Sequence, residues 1–407
     1  MEPPATTPDA SAIAALAASS GLRRIHILAW RDLEDPEAGG SEVHIDEVAR
    51  RWAAAGIEIT MRTSFAPGRS SETFRGGYRV IRKAGRYLVF PRATLSERLG
   101  RHGPSDALVE VWNGMPFLSP AWYSGPRLVI LHHVHAEMWG MVLPPTLAAA
   151  GNFIERRLAP ILYRRSQVAT LAESSRDELV HELRFSRDRV TVVPPGLHER
   201  FRPAPDGEPH PRSAEPLVVA VGRLVPVKRF DLLIRAAARA REQVPGLRLR
   251  ILGEGYERDA LEALVRQLDA SDWVELPGRV DDEALVAAYR GAWLVASTSL
   301  REGWGMTLTE AAACGTPAVA TRIRGHTDAV LDGRTGLLAE DADVEMALVT
   351  LLSEPARRAE MGRAARAHAG QLTWERTAHD LLQILADQVP GGDRRTPAAR
   401  GTDRPSA

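Results

Sequence analysis

Short apolar runs recur along this chain, separated by longer stretches in which apolar positions fall three and four residues apart. RIHILAW (24–30), GIEITMRTS (56–64), DALVEVW (106–112) and RLVILHH (127–133) are four such runs. QVATLAE (167–173), LVVAVG (217–222), LRLRILG (247–253) and WLVASTS (293–299) continue the series. Runs of this length read as buried strands, and the intervening pattern reads as amphipathic helix. After the first run, for example, the spacing turns Val43, Val48 and Trp52 inward on one helix. Alternation of strand and helix predicts an α/β protein with parallel sheets covered on both faces.

The punctuation divides that pattern in two. Residues 202–216 (RPAPDGEPHPRSAEP) hold five prolines and no buried-type run, so a linker is expected over 205–215. It separates one α/β half, 22–204, from a second that begins at 216. Residues 1–21 and 390–407 lack periodicity and are expected to be disordered tails. The fold class that follows is two Rossmann-like, doubly wound domains facing a cleft, with ligands held beyond the C-terminal strand ends. A dinucleotide dehydrogenase is disfavoured: the first strand runs into RDLEDPEAGGSE, and GEG at 253–255 lacks a third glycine.

Composition narrows the function. A chain of 407 residues suits two domains, and its 52 basic and 52 acidic residues cancel, which argues against a nucleic-acid partner. Cys314 is the only cysteine, so no internal disulfide forms and a cytoplasmic setting is expected. No apolar run reaches membrane-spanning length, and the Ala-rich segment 11–18 lacks the basic flank of a signal peptide. Lysine occurs only at 83 and 228, in a chain otherwise reliant on arginine. Each lysine therefore becomes a candidate for a place that needs a compact ammonium.

The densest chemistry lies in STSLREGWGMTLTEAAACGTPAVA (297–320). A strand to Ser299, a loop carrying Gly303 and Gly305, and a helix from Met306 or Thr307 are expected, with Cys314–Gly315 as its stop. Amides around Met306, Thr307 and Leu308 at that helix start could hold a diphosphate. Glu302 before the helix and Glu310 one turn inside it could accept from sugar and ribose hydroxyls. Thr307-x-x-Glu310 also reads as a capping box, in which Glu310 does no more than satisfy an amide. VAVGRLVPVKRFDLLIRAA (219–237) is again strand, loop and helix, with Arg223 and Lys228 placed to meet a diphosphate leaving group. Both could instead be solvated loop charges.

Two further segments point at the same cleft. Gly39–Gly40 allow close backbone approach to a ligand, and Ser41 is expected to cap the helix that follows. Glu42 and His44 could serve the same site, but read more simply as ordinary helix residues. LVILHHVHAEMWG (128–140) places His132 and His133 at a strand end, where imidazole can orient a hydroxyl. Zinc is not expected there, because no cysteine or carboxylate cluster completes a ligand set.

Taken together, these motifs resemble the retaining glycosyltransferase family 4. Its signature, E-G-x-G-x-x-x-x-E-A-x-A-x-G-x-P, is matched by Glu302, Gly303, Gly305, Glu310, Ala311, Ala313, Gly315 and Pro317. The resemblance spans about residues 22–389 and implies the two-domain GT-B arrangement. Within it, 216–371 would be the nucleotide-sugar domain and 372–389 a helix crossing back to the first. It further implies that Glu302 touches the donor hexose, Glu310 the ribose, and Arg223 and Lys228 the pyrophosphate. His132, with His133 close behind, would contact the donor sugar, and Gly39–Gly40 the donor phosphates. Backbone of the segment containing Val280 would meet the base, and Asn113 would line the acceptor side. The sequence departs from the family at Pro195, usually Asn, and at Asp328, often Glu, which receives no role.

The expected reaction moves a hexose-type sugar from a nucleotide diphosphate sugar to a hydroxyl acceptor (a glycan, a lipid-linked or a small molecule). It proceeds with retention and needs neither metal nor cofactor. Alternatives are another GT-B enzyme, an epimerase or phosphorylase, and a noncatalytic nucleotide-sugar-binding subunit. Residues 74–101 are basic and interleaved with aromatics, which fits peripheral contact with an anionic inner membrane face. The same residues read more simply as a solvated arginine-rich surface.

Overall fold

A computed structural model describes residues 8–135, 138–142, 144–204 and 212–389. Most of the expected linker and the C-terminal tail 390–407 lie outside the described residues.

The first half is built on eight strands: β1 (Arg24–Leu28), β2 (Glu58–Thr63), β3 (Glu72–Arg75), β4 (Tyr78–Arg82), β5 (Ala107–Trp112), β6 (Arg127–Leu131), β7 (Gln167–Thr170) and β8 (Val190–Val192). Their order is β3-β4-β2-β1-β5-β6-β7-β8, parallel except for the β3–β4 hairpin. That hairpin turns on Gly76 and Gly77, both at positive φ. The second half has six: β9 (Leu217–Val221), β10 (Arg248–Leu252), β11 (Val274–Gly278), β12 (Leu294–Ser297), β13 (Ala318–Thr321) and β14 (Gly336–Ala339). They run β11-β10-β9-β12-β13-β14, all parallel, which is the dinucleotide-binding strand order.

The helices are α1 (Ala10–Ser20), α2 (Gly40–Ala54), α3 (Val89–Arg98), α4 (Met138–Val142), α5 (Pro145–Phe153), α6 (Ala159–Tyr163) and α7 (Glu173–His181) in the first half. In the second are α8 (Phe230–Gln243), α9 (Arg258–Gln267), α10 (Asp282–Gly291), α11 (Met306–Ala313), α12 (His326–Ala329), α13 (Val344–Ser353) and α14 (Pro355–Ala369). A last helix, α15, spans Trp374–Ala386.

Alternate strand residues face opposite layers, as period-two side chains require. Ile25, Ile27, Val109 and Ile130 pack under α1, α2 and α15. Leu28 and Leu108 meet α3, whereas Trp112, Val129, Leu131 and Val168 meet α6 and α7. The second sheet buries Val218, Ile251 and Val319 beneath α8, α9 and α13, and Val219, Val295 and Ala320 beneath α10 and α11.

Although it follows the second half in sequence, α15 is part of the first core through Ala378, Leu381, Leu382 and Leu385. Trp52 Nε1 donates to Ala378 O at 2.9 Å, and Thr377 Oγ1 donates to Pro194 O at 2.8 Å. A Cβ at Gly196 would stand 2.2 Å from Trp374 N, so only glycine lets the chain pass the start of this helix.

Several local expectations are corrected. Residues 8–21 are not a tail. Asp9 caps α1, and Ile13 and Ala17 are buried in the first core, because that Ala-rich stretch carries an apolar face too short to register as periodic. Val43 is exposed, while Val48 and Trp52 face inward. Ser41 lies inside the first turn of α2; Glu42 Oε2, not Ser41, accepts from Gly39 N, at 2.7 Å. Helix α11 begins at Gly305 in left-handed conformation with no side-chain cap, so Thr307 and Glu310 form no capping box. Lys228 sits in a 3-10 turn, Pro226–Lys228, one residue short of the start of α8. Lys83 pairs at the surface with Glu72. Its rarity as a residue type therefore marked nothing there.

Candidate active site between the two sheets

In each sheet the strand order reverses beside the first strand, at β1/β5 and at β9/β12. Loops leaving neighbouring strands diverge there and open a crevice. From the first half come the segment before α2, Asn113 after β5, and His132–His133 after β6. From the second come Gly222–Arg223 after β9 and the loop from Thr298 to Gly305 after β12.

Hydrogen bonds stitch the two second-half loops together. Thr298 Oγ1 donates to Arg229 O at 2.9 Å, Arg229 Nε donates to Thr298 O at 2.9 Å, and Leu300 N donates to Val227 O at 2.8 Å. This lashing brings the Lys228 ammonium onto Glu302 Oε1, which also accepts from Ser299 Oγ at 2.8 Å. Burial opposes ionisation of Glu302, yet Lys228 and the nearby His326 hold its carboxyl below the usual range. Behind it, burial drives the His326 imidazole down to about 4, with Ser297 and Thr321 as partners.

Arg223 has no ion-pair partner among the described residues. Desolvation, and then the like charge of Arg31, lower its pKa. A Cβ on Gly39 would lie 3.8 Å from Arg223 Nε, and one on Gly40 would lie 3.0 Å from Met306 Sδ. Thus the starts of α2 and α11, from opposite halves, face each other beside an uncompensated guanidinium. Helix starts carry partial positive charge and orphan amides. The combination has the chemistry to receive an anion.

The halves touch directly at this level. A Cβ on Gly303 would be 2.4 Å from His132 O, so the glycine permits the contact. Arg301 Nε donates to Val134 O at 2.6 Å, and its guanidinium also meets Glu178. Arg324 reaches Glu178 at 2.9 Å and Glu182 at 2.8 Å, and Asp328 accepts from Ser174 N at 3.2 Å. Trp304 is buried with Leu171, Ala172 and Ala329, which makes it part of the joint between halves rather than a wall of the open cleft.

On the first-half wall, His132 Nε2 and His44 Nδ1 lie 3.1 Å apart, and the His44 ring leans on Trp374 at 5.7 Å. Desolvation pushes His132 to about 4, and desolvation, then His132 itself, holds His44 well below the usual histidine range. His133 stacks on His135 at 5.1 Å and is likewise held neutral, first by burial. Nδ1 of His132 and Nε2 of His133 are buried without a hydrogen-bond partner among the described residues. Asn113 Nδ2 donates to Ser41 Oγ at 3.1 Å at the mouth of this wall.

The remaining expected residues lie further out. Glu310 is one turn along α11, where its carboxylate accepts from Tyr289 OH at 2.8 Å and burial raises its pKa. Thr307 and Leu308 form the first turn of α11, Leu308 pointing into the core. Gly305, at φ +107°, starts that helix. Val280, just past β11, packs against the second-half core that lies under α10 and α11. Neither Glu310 nor Val280 touches Lys228 or Arg223. Reading along the chain missed Arg31 and set Glu42 and His44 aside as ordinary helix residues. Arg31 lies over Trp30, with Nε 3.4 Å from Glu42 Oε1. No spacing marks these three, because they converge on the site only through the packing of α2.

Comparison with known proteins places this arrangement. The model for glycosyltransferase family 4 matches residues 38–201, and that for glycosyl transferases group 1 matches residues 206–368. D-inositol 3-phosphate glycosyltransferase of Acidothermus cellulolyticus is 30% identical over 95% of this chain and 95% of its own. The chain belongs to glycosyltransferase family 4. This glycosyltransferase is also 32% identical to the GDP-mannose-dependent alpha-(1-6)-phosphatidylinositol monomannoside mannosyltransferase of Mycolicibacterium smegmatis, over 77% of this chain and 85% of that one. A match to the Nocardia farcinica D-inositol 3-phosphate glycosyltransferase is 42% identical but spans only 53% of this chain and 51% of the relative. Among solved structures, sucrose-phosphate synthase of Thermosynechococcus elongatus superposes with a TM-score of 0.75 at 21% identity, covering 89% of this chain and 98% of its own. Anabaena HepE, solved with UDP-glucose, superposes with a TM-score of 0.70 at 17% identity, covering 89% and 99%. Both show the GT-B fold.

Proposed function

We propose that this glycosyltransferase takes a hexose from a nucleotide diphosphate sugar and passes it to a hydroxyl acceptor, with retention and without a metal ion. The observation that carries the reading is the unpaired Arg223 beside the facing starts of α2 and α11, next to the Lys228–Glu302 pair. Protein cations and helix amides there can take the charge that grows on a departing diphosphate, which is the work a metal would otherwise do. A relative named for GDP-mannose and a neighbour solved with UDP-glucose support a nucleotide sugar as donor.

In this scheme the bond from the anomeric carbon to the diphosphate oxygen breaks while Lys228 and Arg223 hold that oxygen's charge. Glu302 accepts from hydroxyls of the hexose, and the neutral His132 and His133 orient sugar and acceptor hydroxyls. Glu310 accepts from the ribose, with Val280 backbone beside the base and Asn113 on the acceptor side. The acceptor oxygen attacks from the face the leaving group vacates, and its proton passes to the departing phosphate oxygen. Peripheral contact with an anionic membrane face belongs to the same proposal.

Anomeric proton NMR of the product, with and without EDTA, tests this. Retained configuration and unchanged turnover in EDTA are expected; an inverted product or loss of turnover restored by divalent cations would refute the reading.

A further inference from the structure

Exposed large apolar side chains are unevenly shared between the halves. In the second half, among the described residues, they are only Tyr256, Leu300 and Met346. The first half carries the rest, and one row of four lies where α5 and α6 join through a π-helical turn, Ile154–Leu158. Ala148, Gly151, Glu155, Ala159 and Tyr163 are buried, three or four residues apart, and define one inward face. The opposite face presents Leu147 (56% exposed), Phe153 (63%), Leu158 (39%) and Ile161 (65%) to solvent.

Charge on this strip is one-sided. Arg156, Arg157, Arg164 and Arg165 are all exposed, and Glu155, the only acid between 144 and 165, is buried. Arg156 pairs with Glu182, whereas Arg157, Arg164 and Arg165 have no ion pair among the described residues. The basic stretch 74–101 is different over residues 75–86. Arg75 is taken up by Asp32 and Asp46, Arg79 and Lys83 by Glu72, Arg82 by Asp32 and Glu34, and Arg86 by Asp35 and Glu37. Those five cations are therefore neutralised within the fold, whereas Arg92, Arg98 and Arg101, near the exposed Leu95 and Leu99, have no ion pair among the described residues.

We infer that the outer face of residues 145–165, rather than the paired cations of 75–86, is a docking surface for an anionic phospholipid bilayer. Apolar side chains in a row, flanked by free guanidinium groups and no exposed carboxylate, match an interface whose surface is negative and whose interior is apolar. A second copy fits poorly, because a two-fold contact would set the same arginines against each other. The surface is also tied to the cleft. Glu155 accepts from His135 N at 2.8 Å and from Trp139 Nε1 at 3.0 Å, and Gly151 leaves room for the Trp139 ring. Docking would therefore hold the loop that carries His133 and His135 at the membrane, where a lipid-borne hydroxyl enters. The inference deepens the proposed function by favouring a membrane-borne acceptor.

Sedimentation of the full chain with vesicles tests it, using phosphatidylglycerol mixed with phosphatidylcholine against phosphatidylcholine alone. Wild type is expected to pellet with the anionic vesicles at low salt. Phe153→Ser/Ile161→Ser and Arg157→Gln/Arg164→Gln/Arg165→Gln should each bind at least about tenfold more weakly, while Arg79→Gln/Lys83→Gln should bind as wild type does. Equal pelleting with both vesicle types would overturn the inference. So would unchanged binding of the two strip variants, or loss of binding in the Arg79/Lys83 variant. A wild-type dimer in solution that the Phe153/Ile161 variant abolishes would assign the strip to self-association and overturn it too. Calorimetric binding of UDP and GDP, expected to be unchanged in the strip variants, keeps this outcome separate: failure there counts against the proposed function alone.

Discussion

At the scale of single residues, the pairing of Lys228 with Glu302 makes a specific claim. The ammonium is held by a carboxylate, and under the proposed function it is shared with the diphosphate of the donor. Lys228→Ala should leave a folded protein and lower kcat/KM for transfer by at least about tenfold, the worth of one charge-assisted contact. Glu302→Gln should do so mainly through kcat. Normal turnover in both would remove these residues from the site. The buried imidazoles set the acid limit. His132, His135 and His326 are held near 4 by burial, well under the roughly 6.5 of an unfolded histidine. Between those values the unfolded chain binds the protons first, so stability is full above about pH 6.5 and falls as pH drops toward 4. Each group contributes a slope on the order of 1.4 kcal/mol per pH unit in that window. Urea titrations at pH 7, 6 and 5 should show the decline, and His135→Asn should flatten it. The charged residues Glu302, Arg223 and Lys228 were legible in sequence, since each flanks a strand–glycine–helix unit. His44 and Arg31 were not, because their roles come from neighbours 88 residues away at His132 and across the joint at Arg223.

At the scale of elements, the apolar runs marked β1, β2, β5, β6, β7, β9, β10 and β12 to within two residues at most ends. Missed were β3 and β4, in which arginines such as Arg82 occupy buried positions that ion pairs with Asp32 and Glu34 make tolerable. Helix α1 was read as a tail because its alanines carry little hydrophobic contrast. Its burial against α2 and α15 predicts that Ile13→Ala costs about 2–4 kcal/mol in chemical denaturation; a change under about 0.5 kcal/mol would return the segment to the tails. Glycine at 303 is demanded by contact rather than by φ. Gly303→Ala should force the loop after β12 from His132 O, lowering transfer at least about tenfold with a stability loss of only about 1–3 kcal/mol.

At the scale of the molecule, the two halves are joined by α15, which completes the first core, and by a charged seam. Glu178, buried to 3% side-chain exposure, receives both Arg301 and Arg324 from the opposite half. Glu178→Gln should weaken closure by about 1.5–3 kcal/mol, read as faster hydrogen exchange in residues 298–305 and a raised donor KM. Unaltered exchange would show that the seam does not govern closure.

The central claim is that the facing helix starts, with Arg223 and Lys228, form a diphosphate site. Calorimetry with UDP and GDP against UMP and GMP tests it most directly. For whichever base binds, the diphosphate should bind at least about tenfold more tightly than its monophosphate, and Lys228→Ala should erase most of that difference. Equal affinity for mono- and diphosphate, or a preference that survives in Lys228→Ala, would contradict the account.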